Sequence, residues 1–227
     1  MPMIMTQEEI RVLGCLMEKS VVTPDQYPLS LNALTNACNQ KSSREPVMSL
    51  VQVEVERVIN NLQSKHVVTV DENFRKQVAK YAHRFCNTPF SDYQFDAAQF
   101  AVVCVLLLRG PRTPGEIKAN SGRLHTFETN ESVVETLNTL LDYDGGPLVA
   151  MLPRKSGRRD SEYVHLFAGE VVEAVDEPRR AAVPTSRLAT SERAAVGESG
   201  LTARVVALED EVAELREAIA ELRLHRP

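Results

Sequence analysis

The chain has 227 residues, enough for one large domain or for two small domains with a tail. Hydrophobic residues make up 43% and charged residues 25%, which is the balance of a soluble globular protein. The longest apolar run, residues 100–108, is too short to span a bilayer, so we expect no membrane partner. The net charge of −5 excludes a protein that coats nucleic acid non-specifically, and any DNA contact must come from local patches.

Two capping boxes indicate helix starts in the first 90 residues. Thr6 and Glu9 form one box, at the start of a helix predicted over residues 6–20. Ser49 and Gln52 form the other box, which begins what we expect to be the third helix. The apolar positions of that third helix are Val51, Val55, Val58, Ile59 and Leu62.

A further helix and two strands complete this first segment. The pattern predicts a short second helix over residues 29–38. Residues 67–70 and 78–83 are rich in strand-forming residues and predict a hairpin. Three helices followed by a hairpin are typical of a winged helix-turn-helix, so we predict a first winged-helix domain over residues 1–90.

The same order of elements recurs over residues 91–170. Helices are predicted over residues 95–108 and 115–120, and strands over residues 148–152 and 163–167. A third helix is indicated by Val133, Val134, Leu137, Leu140 and Leu141. This recurrence predicts a second winged-helix domain.

A short local similarity supports the duplication: residues 59–62 (Ile-Asn-Asn-Leu) resemble residues 137–140 (Leu-Asn-Thr-Leu). The predicted fold class is α+β, mainly α with small β-hairpins. Its architecture is a tandem of winged helix-turn-helix domains with a C-terminal coiled-coil helix.

The residues after 170 divide into a linker and a helix. Residues 171–200 are rich in small and charged residues and contain no aromatic, so we predict a flexible linker. Over residues 201–227 the apolar positions alternate spacings of four and three, with Leu at d and β-branched residues at a. These dimerisation positions are Leu201, Val205, Leu208, Val212, Leu215, Ile219 and Leu222. The pattern favours a homodimer through a parallel coiled coil; a single helix folded back on the winged domains is the alternative.

The candidate nucleic-acid-binding residues follow from winged-helix geometry, in which the third helix enters the major groove and the wing contacts the backbone. Gln and Asn can recognise adenine, Arg can recognise guanine, and cations or hydroxyls bind phosphate. In the first copy the candidates are Lys41, Ser42, Arg44, Gln52, Arg57, Asn60, Arg75, Lys76 and Lys80. The alternative is a solvated polar surface on a structural winged helix.

The second copy has a different charge pattern. Its third helix carries Glu131, Glu135 and Asp142 and no basic residue, so it is a poor candidate for groove binding. Its candidates lie instead at the tip of its wing, which is the densest basic cluster in the chain: Arg154, Lys155, Arg158 and Arg159.

Catalytic and metal-binding patterns are weak. There is no phosphate-binding glycine loop, and His66, His125 and His165 have no partner at ligand spacing. His83 near Cys86 suits packing better than a catalytic dyad. The cysteines, which lack CxxC spacing, are expected to be buried reduced thiols: Cys15, Cys38, Cys86 and Cys104. We therefore expect no enzymatic activity, no cofactor and no metal, and, lacking a signal-peptide pattern, a cytoplasmic location.

Several longer stretches resemble the YceH family of bacterial proteins. They are residues 23–30 (Thr-Pro-Asp-Gln-Tyr-Pro-Leu-Ser), 37–41 (Ala-Cys-Asn-Gln-Lys), 44–48 (Arg-Glu-Pro-Val-Met), 84–87 (Arg-Phe-Cys-Asn), 107–110 (Leu-Leu-Arg-Gly) and 165–171 (His-Leu-Phe-Ala-Gly-Glu-Val). The resemblance extends from about residue 6 to residue 171 and returns in the Leu- and Glu-rich tail. It implies paired winged-helix domains and a C-terminal coiled coil, and it implies no biochemical activity.

Two functional hypotheses follow. The first is a cytoplasmic, dimeric DNA-binding protein that acts as a transcriptional regulator, with the third helix of the first copy in the major groove. The second is a protein-interaction module in which both winged helices are docking surfaces for an unidentified protein partner. The net charge and the acidic third helix of the second copy motivate the second hypothesis.

Overall fold

Six α-helices and five short β-strands are formed by the residues that the computed structural model describes, which are 3–71, 78–89, 91–155 and 160–169. The helices are α1 (Gln7–Val22), α2 (Leu31–Cys38), α3 (Gln52–Ser64), α4 (Ala97–Arg109), α5 (Pro114–Ser121) and α6 (Asn130–Leu141). The strands are β1 (Leu29–Ser30), β2 (Val68–Asp71), β3 (Lys80–His83), β4 (Val149–Met151) and β5 (Tyr163–His165). The fold is therefore α+β, as predicted. The predicted linker and coiled-coil helix lie outside the described residues.

The helix starts follow from local hydrogen bonding. At α1 the Thr6 hydroxyl accepts from the Glu9 amide at 3.3 Å, and the Glu9 carboxylate accepts from the Thr6 amide at 2.8 Å, which confirms the predicted capping box. At α5 Thr113 and Glu116 form the same arrangement. Within the described ranges, none of the helices has the length and apolar character needed to cross a membrane.

The start of α3 differs from the prediction. The helix begins at Gln52, and the amide of Val51 donates to the Glu54 carboxylate at 2.9 Å. Ser49 is therefore not its N-cap, because the Asn39 side chain holds both backbone groups of Leu50 in a non-helical segment, at 2.7 and 2.8 Å. Val51, predicted to be in the core, is 60% exposed. The other predicted core positions of the helix are buried: Val55, Val58, Ile59 and Leu62.

Both predicted hairpin pairings are present. Strands β2 and β3 are antiparallel, and β1 adds to the other side of β3, in the order β1-β3-β2. Strands β4 and β5 form a second antiparallel pair. In the second half an isolated bridge between Arg112 and Tyr163 occupies the place that β1 has in the first half, between the first and second helices. The two halves thus share a detail that the sequence did not predict.

A repeated motif lies in and after the second strand of each hairpin. Residues 81–85 and residues 163–167 both have the pattern Tyr-x-His-x-Phe. The histidines occupy the same register, since His83 lies opposite Val68 and His165 lies opposite Val149. The shared motif and register support an internal duplication, for which sequence reasoning used weaker similarities.

The two halves pack on each other through equivalent elements. The first helix of each half, α1 and α4, meet closely at Gly14, where an added Cβ would lie 2.9 Å from Leu108 Cδ2 and 3.2 Å from Leu107 Cβ. The Cys104 thiol donates to the Gly14 carbonyl at 3.7 Å. All the described residues lie in one compact unit. The segments 1–90 and 91–170 are therefore two repeats that share a core.

Candidate nucleic-acid interface

One face of α3 projects three exposed side chains, none of which forms a hydrogen bond or an ion pair with another residue that the structure describes. Val53, Arg57 and Asn60 lie at positions i, i+4 and i+7, so they share a face, and it is opposite the face that contains Val55 and Ile59. Val53 is 74% exposed, which is unusual for an apolar residue on a helix that has a well-formed core face. We call Val53, Arg57 and Asn60 the α3 outer row.

A groove beside the start of α3 is bounded by α2 and β3. It has a volume of about 380 Å³, and Asn32 and Gln52 line it. The Gln52 amide donates to the Asn32 side chain at 3.2 Å, which fixes the start of α3 against α2. Lys80 lies opposite Ser30 and is half-buried, next in the chain to Tyr81, the residue of β3 that lines the groove. Of the two predicted residues, Gln52 therefore lines the groove, whereas Lys80 does not.

The segment before α3 holds two more predicted residues at the surface. Lys41 and Ser42 are both exposed. The segment itself is anchored from α1, because the buried Arg11 donates to the carbonyl of Cys38 at 3.2 Å and to that of Pro46 at 2.6 Å. Sequence reasoning missed this role of Arg11, since a charged residue on an amphipathic helix is usually solvated.

Arg44 is not part of the surface, so its predicted contact with nucleic acid is wrong. Its side chain is 0% exposed and binds both oxygens of the Glu18 carboxylate, at 2.6 and 3.2 Å. Its Nε donates to the Ala37 carbonyl at 3.0 Å. Burial lowers the pKa of Arg44, but the Glu18 carboxylate outweighs that effect and raises it. Arg44 is an internal anchor because its donors are already used within the protein.

The second wing is described in part. Arg154 and Lys155 are exposed, and Lys155 Nζ lies 3.1 Å from the Glu162 carboxylate while half of its side chain stays in solvent. Four other predicted residues lie outside the described part of the chain: Arg75, Lys76, Arg158 and Arg159.

The third helix of the second repeat presents a different row. The buried positions Val55 and Ile59 of α3 correspond to the buried Val133 and Leu137 of α6. With this alignment the α3 outer row corresponds to Glu131, Glu135 and Asn138, which are all exposed. Two carboxylates thus replace an apolar residue and an arginine, and phosphate would be repelled there.

The four cysteines and His83 serve packing. The four cysteines are buried and free, as expected from their apolar neighbours. The His83 ring lies 6.3 Å from both the Tyr27 and Phe100 rings. In the ranges that the structure describes, no cluster of His, Cys, Asp or Glu is placed to hold a metal ion.

The chain is similar to a set of bacterial proteins over almost its full length. A family model described as "Protein of unknown function, DUF480" matches residues 5–158. A UPF0502 protein of Shewanella woodyi is 48% identical over 97% of this chain and 99% of its own length. A UPF0502 protein of Cronobacter sakazakii is 45% identical over 96% of this chain and 95% of its own length. These matches confirm the resemblance to the YceH family.

Proposed function

We propose that this chain, which belongs to the DUF480 family, binds duplex DNA as a cytoplasmic transcriptional regulator. The proposed architecture is a tandem of winged helices, in which α3 is the helix that enters the major groove. The repeated order of three helices and a hairpin supports it. The proposed role is binding without catalysis.

The α3 outer row is the observation that carries the proposal. Its three side chains can make three kinds of contact with base edges in the major groove. Arg57 can donate two hydrogen bonds to guanine, Asn60 can pair with adenine, and Val53 can contact a thymine methyl group. Exposing Val53 gains nothing for folding, since burial of its side chain would be favourable by about 1.5–3 kcal/mol. An apolar contact with a partner explains its exposure.

Backbone contacts would come from the residues around α3. Lys41 and Ser42 are exposed in the segment just before that helix, and Lys80 lies on the hairpin that would form the wing. Phosphate contacts of this kind fix the position of a protein on the duplex without selecting sequence. The second repeat would add phosphate contacts through its wing, where Arg154 is an exposed cation.

Selection from a random duplex library, followed by affinity measurements at several salt concentrations, tests the proposal. If four to six phosphates are neutralised, affinity falls about 10²–10³-fold between about 50 and 200 mM salt. Asn60→Ala should weaken binding to the selected site about 5- to 150-fold, because one bidentate contact contributes about 1–3 kcal/mol of discrimination. The matched control is Asn138→Ala, at the equivalent exposed position of the second repeat. Equal effects of both substitutions, or no enriched sequence, would reject the proposal.

Protein docking is the second candidate function, and a specific observation favours it. Val47, Val51 and Val53 are 56%, 60% and 74% exposed and lie close together in the chain at the start of α3. Contiguous exposed apolar residues are typical of protein interaction sites. Pull-down from lysate with and without nuclease separates the two functions. Partners that remain after nuclease treatment and are lost in Val51→Asn would favour docking.

We also propose that the chain is a homodimer through the predicted coiled coil of residues 201–227. The support is the heptad pattern in the sequence, with Leu at every d position. Sedimentation of the full chain and of a chain truncated after residue 200 tests this assignment. We expect a dimer and a monomer, respectively. A dimeric truncated chain would place the interface elsewhere.

A further inference from the structure

A cavity lies where the two repeats meet, away from α3. It has a volume of about 240 Å³. Its walls come from the end of α1, the segment before α3, the end of α4, and the end of α5 with the residues that follow it. The apolar part of the wall includes Val22, Val105 and Leu108, and the polar part includes Ser43, Arg109 and Arg123.

The negative charge in this wall is already neutralised. Glu18 lines the cavity, but Arg44 binds both of its carboxylate oxygens and Lys19 Nζ lies 3.1 Å from one of them. Burial raises the pKa of Glu18, and the bonded Arg44 outweighs that effect and lowers it. The carboxylate is therefore ionised and fully engaged, and it leaves no free negative charge for the other cations.

The two arginines in the wall have no such partner. Neither Arg109 nor Arg123 forms an ion pair with a carboxylate of the described residues. Arg109 donates instead to the neutral Ser43 hydroxyl at 2.8 Å. Burial, with the nearby positive charges of Arg112 and Arg44, lowers the pKa of Arg109 and outweighs the opposing effect of the Glu18 and Glu45 carboxylates. A surplus of positive charge thus faces a partly buried space, where an anion would be stabilised.

Ser43 completes the polar wall. Its hydroxyl oxygen accepts from Arg109, so its own proton is available for another acceptor. Its backbone has a φ of 60°, which is unusual for a residue other than glycine, and Arg44 holds its carbonyl at 2.8 Å. Conformations of this kind cluster at ligand-binding positions, where the surrounding structure maintains them.

We propose that this cavity binds a small organic anion. Its carboxylate or phosphate oxygens would accept from Arg109, Arg123 and the Ser43 hydroxyl, and its carbon atoms would contact Val22 and Val105. Arginine suits this chemistry because its planar donors match both oxyanions. The cavity is smaller than the roughly 300–1,000 Å³ clefts of drug-sized ligands, so the ligand is a small metabolite rather than a nucleotide. This site goes beyond the proposed DNA contact, since it shares no residue with the α3 outer row.

Binding of inorganic phosphate and of succinate to the full chain, measured by calorimetry at constant ionic strength, tests the site. We expect one or both to bind, and to raise the melting temperature by about 3–5 °C at ten times the dissociation constant. Binding of phosphate alone identifies a phosphorylated ligand, and binding of succinate alone identifies a carboxylate. Binding of neither anion overturns the proposal.

Arg123→Gln is the main variant, because Arg123 is exposed and forms no hydrogen bond with any part of the chain that the structure describes, so the described fold does not depend on it. We expect it to raise the dissociation constant about tenfold or more, as for loss of a charge-assisted contact. Arg109→Gln should have at least the same effect. The matched control is Arg154→Gln, an exposed arginine outside the cavity, which should leave the dissociation constant unchanged. Equal binding by Arg123→Gln, Arg109→Gln and the control would overturn the proposal.

Discussion

Phe85 and Phe167 meet edge to face, with ring centroids 5.2 Å apart and ring planes inclined at 81°. The two residues occupy the same position of the repeated Tyr-x-His-x-Phe motif, and both are buried. Equivalent residues meet in this way when two copies of a unit pack face to face. The contact therefore joins the two hairpin regions into the core that α1 and α4 also share.

Phe167→Ala should destabilise both repeats together. Removing a buried phenylalanine ring costs about 3–5 kcal/mol, and this ring lies between the repeats, where Met5 also donates to the Phe167 carbonyl at 2.7 Å. Chemical denaturation followed by circular dichroism should give one cooperative transition at a lower midpoint. Two transitions, of which only one moves, would show that the repeats unfold independently.

Gly14→Ala should destabilise the protein, although this substitution inside a helix normally stabilises by about 0.5–1 kcal/mol. The added Cβ would lie 2.9 Å from the flexible end of Leu108 and 3.2 Å from Leu107 Cβ, so α1 and α4 must separate slightly. Overpacking of this kind costs about 1–3 kcal/mol. The matched control is Gly115→Ala in α5, where the nearest atom is 3.9 Å away. The melting temperatures of both variants show whether each substitution stabilises or destabilises the protein. A Gly14→Ala protein as stable as the control would contradict the close approach of α1 and α4.

Stability should fall as the pH drops below about 6.5, the ordinary pKa of histidine. Burial lowers the pKa of His83 and of His165 to about 4, so the unfolded chain takes up protons before the folded chain does. The stabilisation is complete above about pH 6.5 and is lost as the pH approaches 4, by up to about 3 kcal/mol for each ring. Urea unfolding at several pH values measures the loss.

Leucine substitution isolates each histidine. His165→Leu removes one titrating group, so the acid side of its stability curve should be less steep than that of the unmodified chain. His83→Leu should have a similar effect, because both rings have a buried Nδ1 without a hydrogen-bond partner among the described residues. An unchanged slope in both variants would place the acid sensitivity elsewhere.

Arg44→Met should lower the stability of the protein, whereas Lys41→Met should leave stability nearly unchanged and alter DNA binding. Arg44→Met leaves the largely buried Glu18 without its main partner, and breaking a buried pair in this way costs about 3–5 kcal/mol. Lys41→Met, at an exposed position, should leave stability within about 0.5 kcal/mol. It should instead lower the slope of log affinity for DNA against log salt by about one. Loss of phosphate contacts by folded Arg44→Met, without loss of stability, would contradict the internal role of Arg44.

Much of the fold follows from local chemistry. The capping box of Thr6 and Glu9 and the pairing of both hairpins depend on residues close together in sequence, and both were predicted. The start of α3 was not, because Asn39 holds Leu50 from eleven positions away. A distant side chain that satisfies a backbone group is invisible to a local pattern.

The candidate site was also predictable only in part. The exposure of Arg57 and Asn60 follows from helix periodicity, so these positions were predictable. Arg44 and Lys41 are both cations in one polar segment, and their sequence context does not distinguish them. Arg44 is buried because Glu18, on a helix 26 positions earlier, meets it there.

The sequence by itself determined the order of helices and strands and which face of each helix is apolar, because both depend on periodicity and on capping between near neighbours. The tertiary structure alone decided that the two repeats share a core at Gly14, Phe85 and Phe167. It also decided which arginines are used internally and which face the cavity. Those outcomes depend on the approach of segments far apart in the chain, which no local pattern specifies.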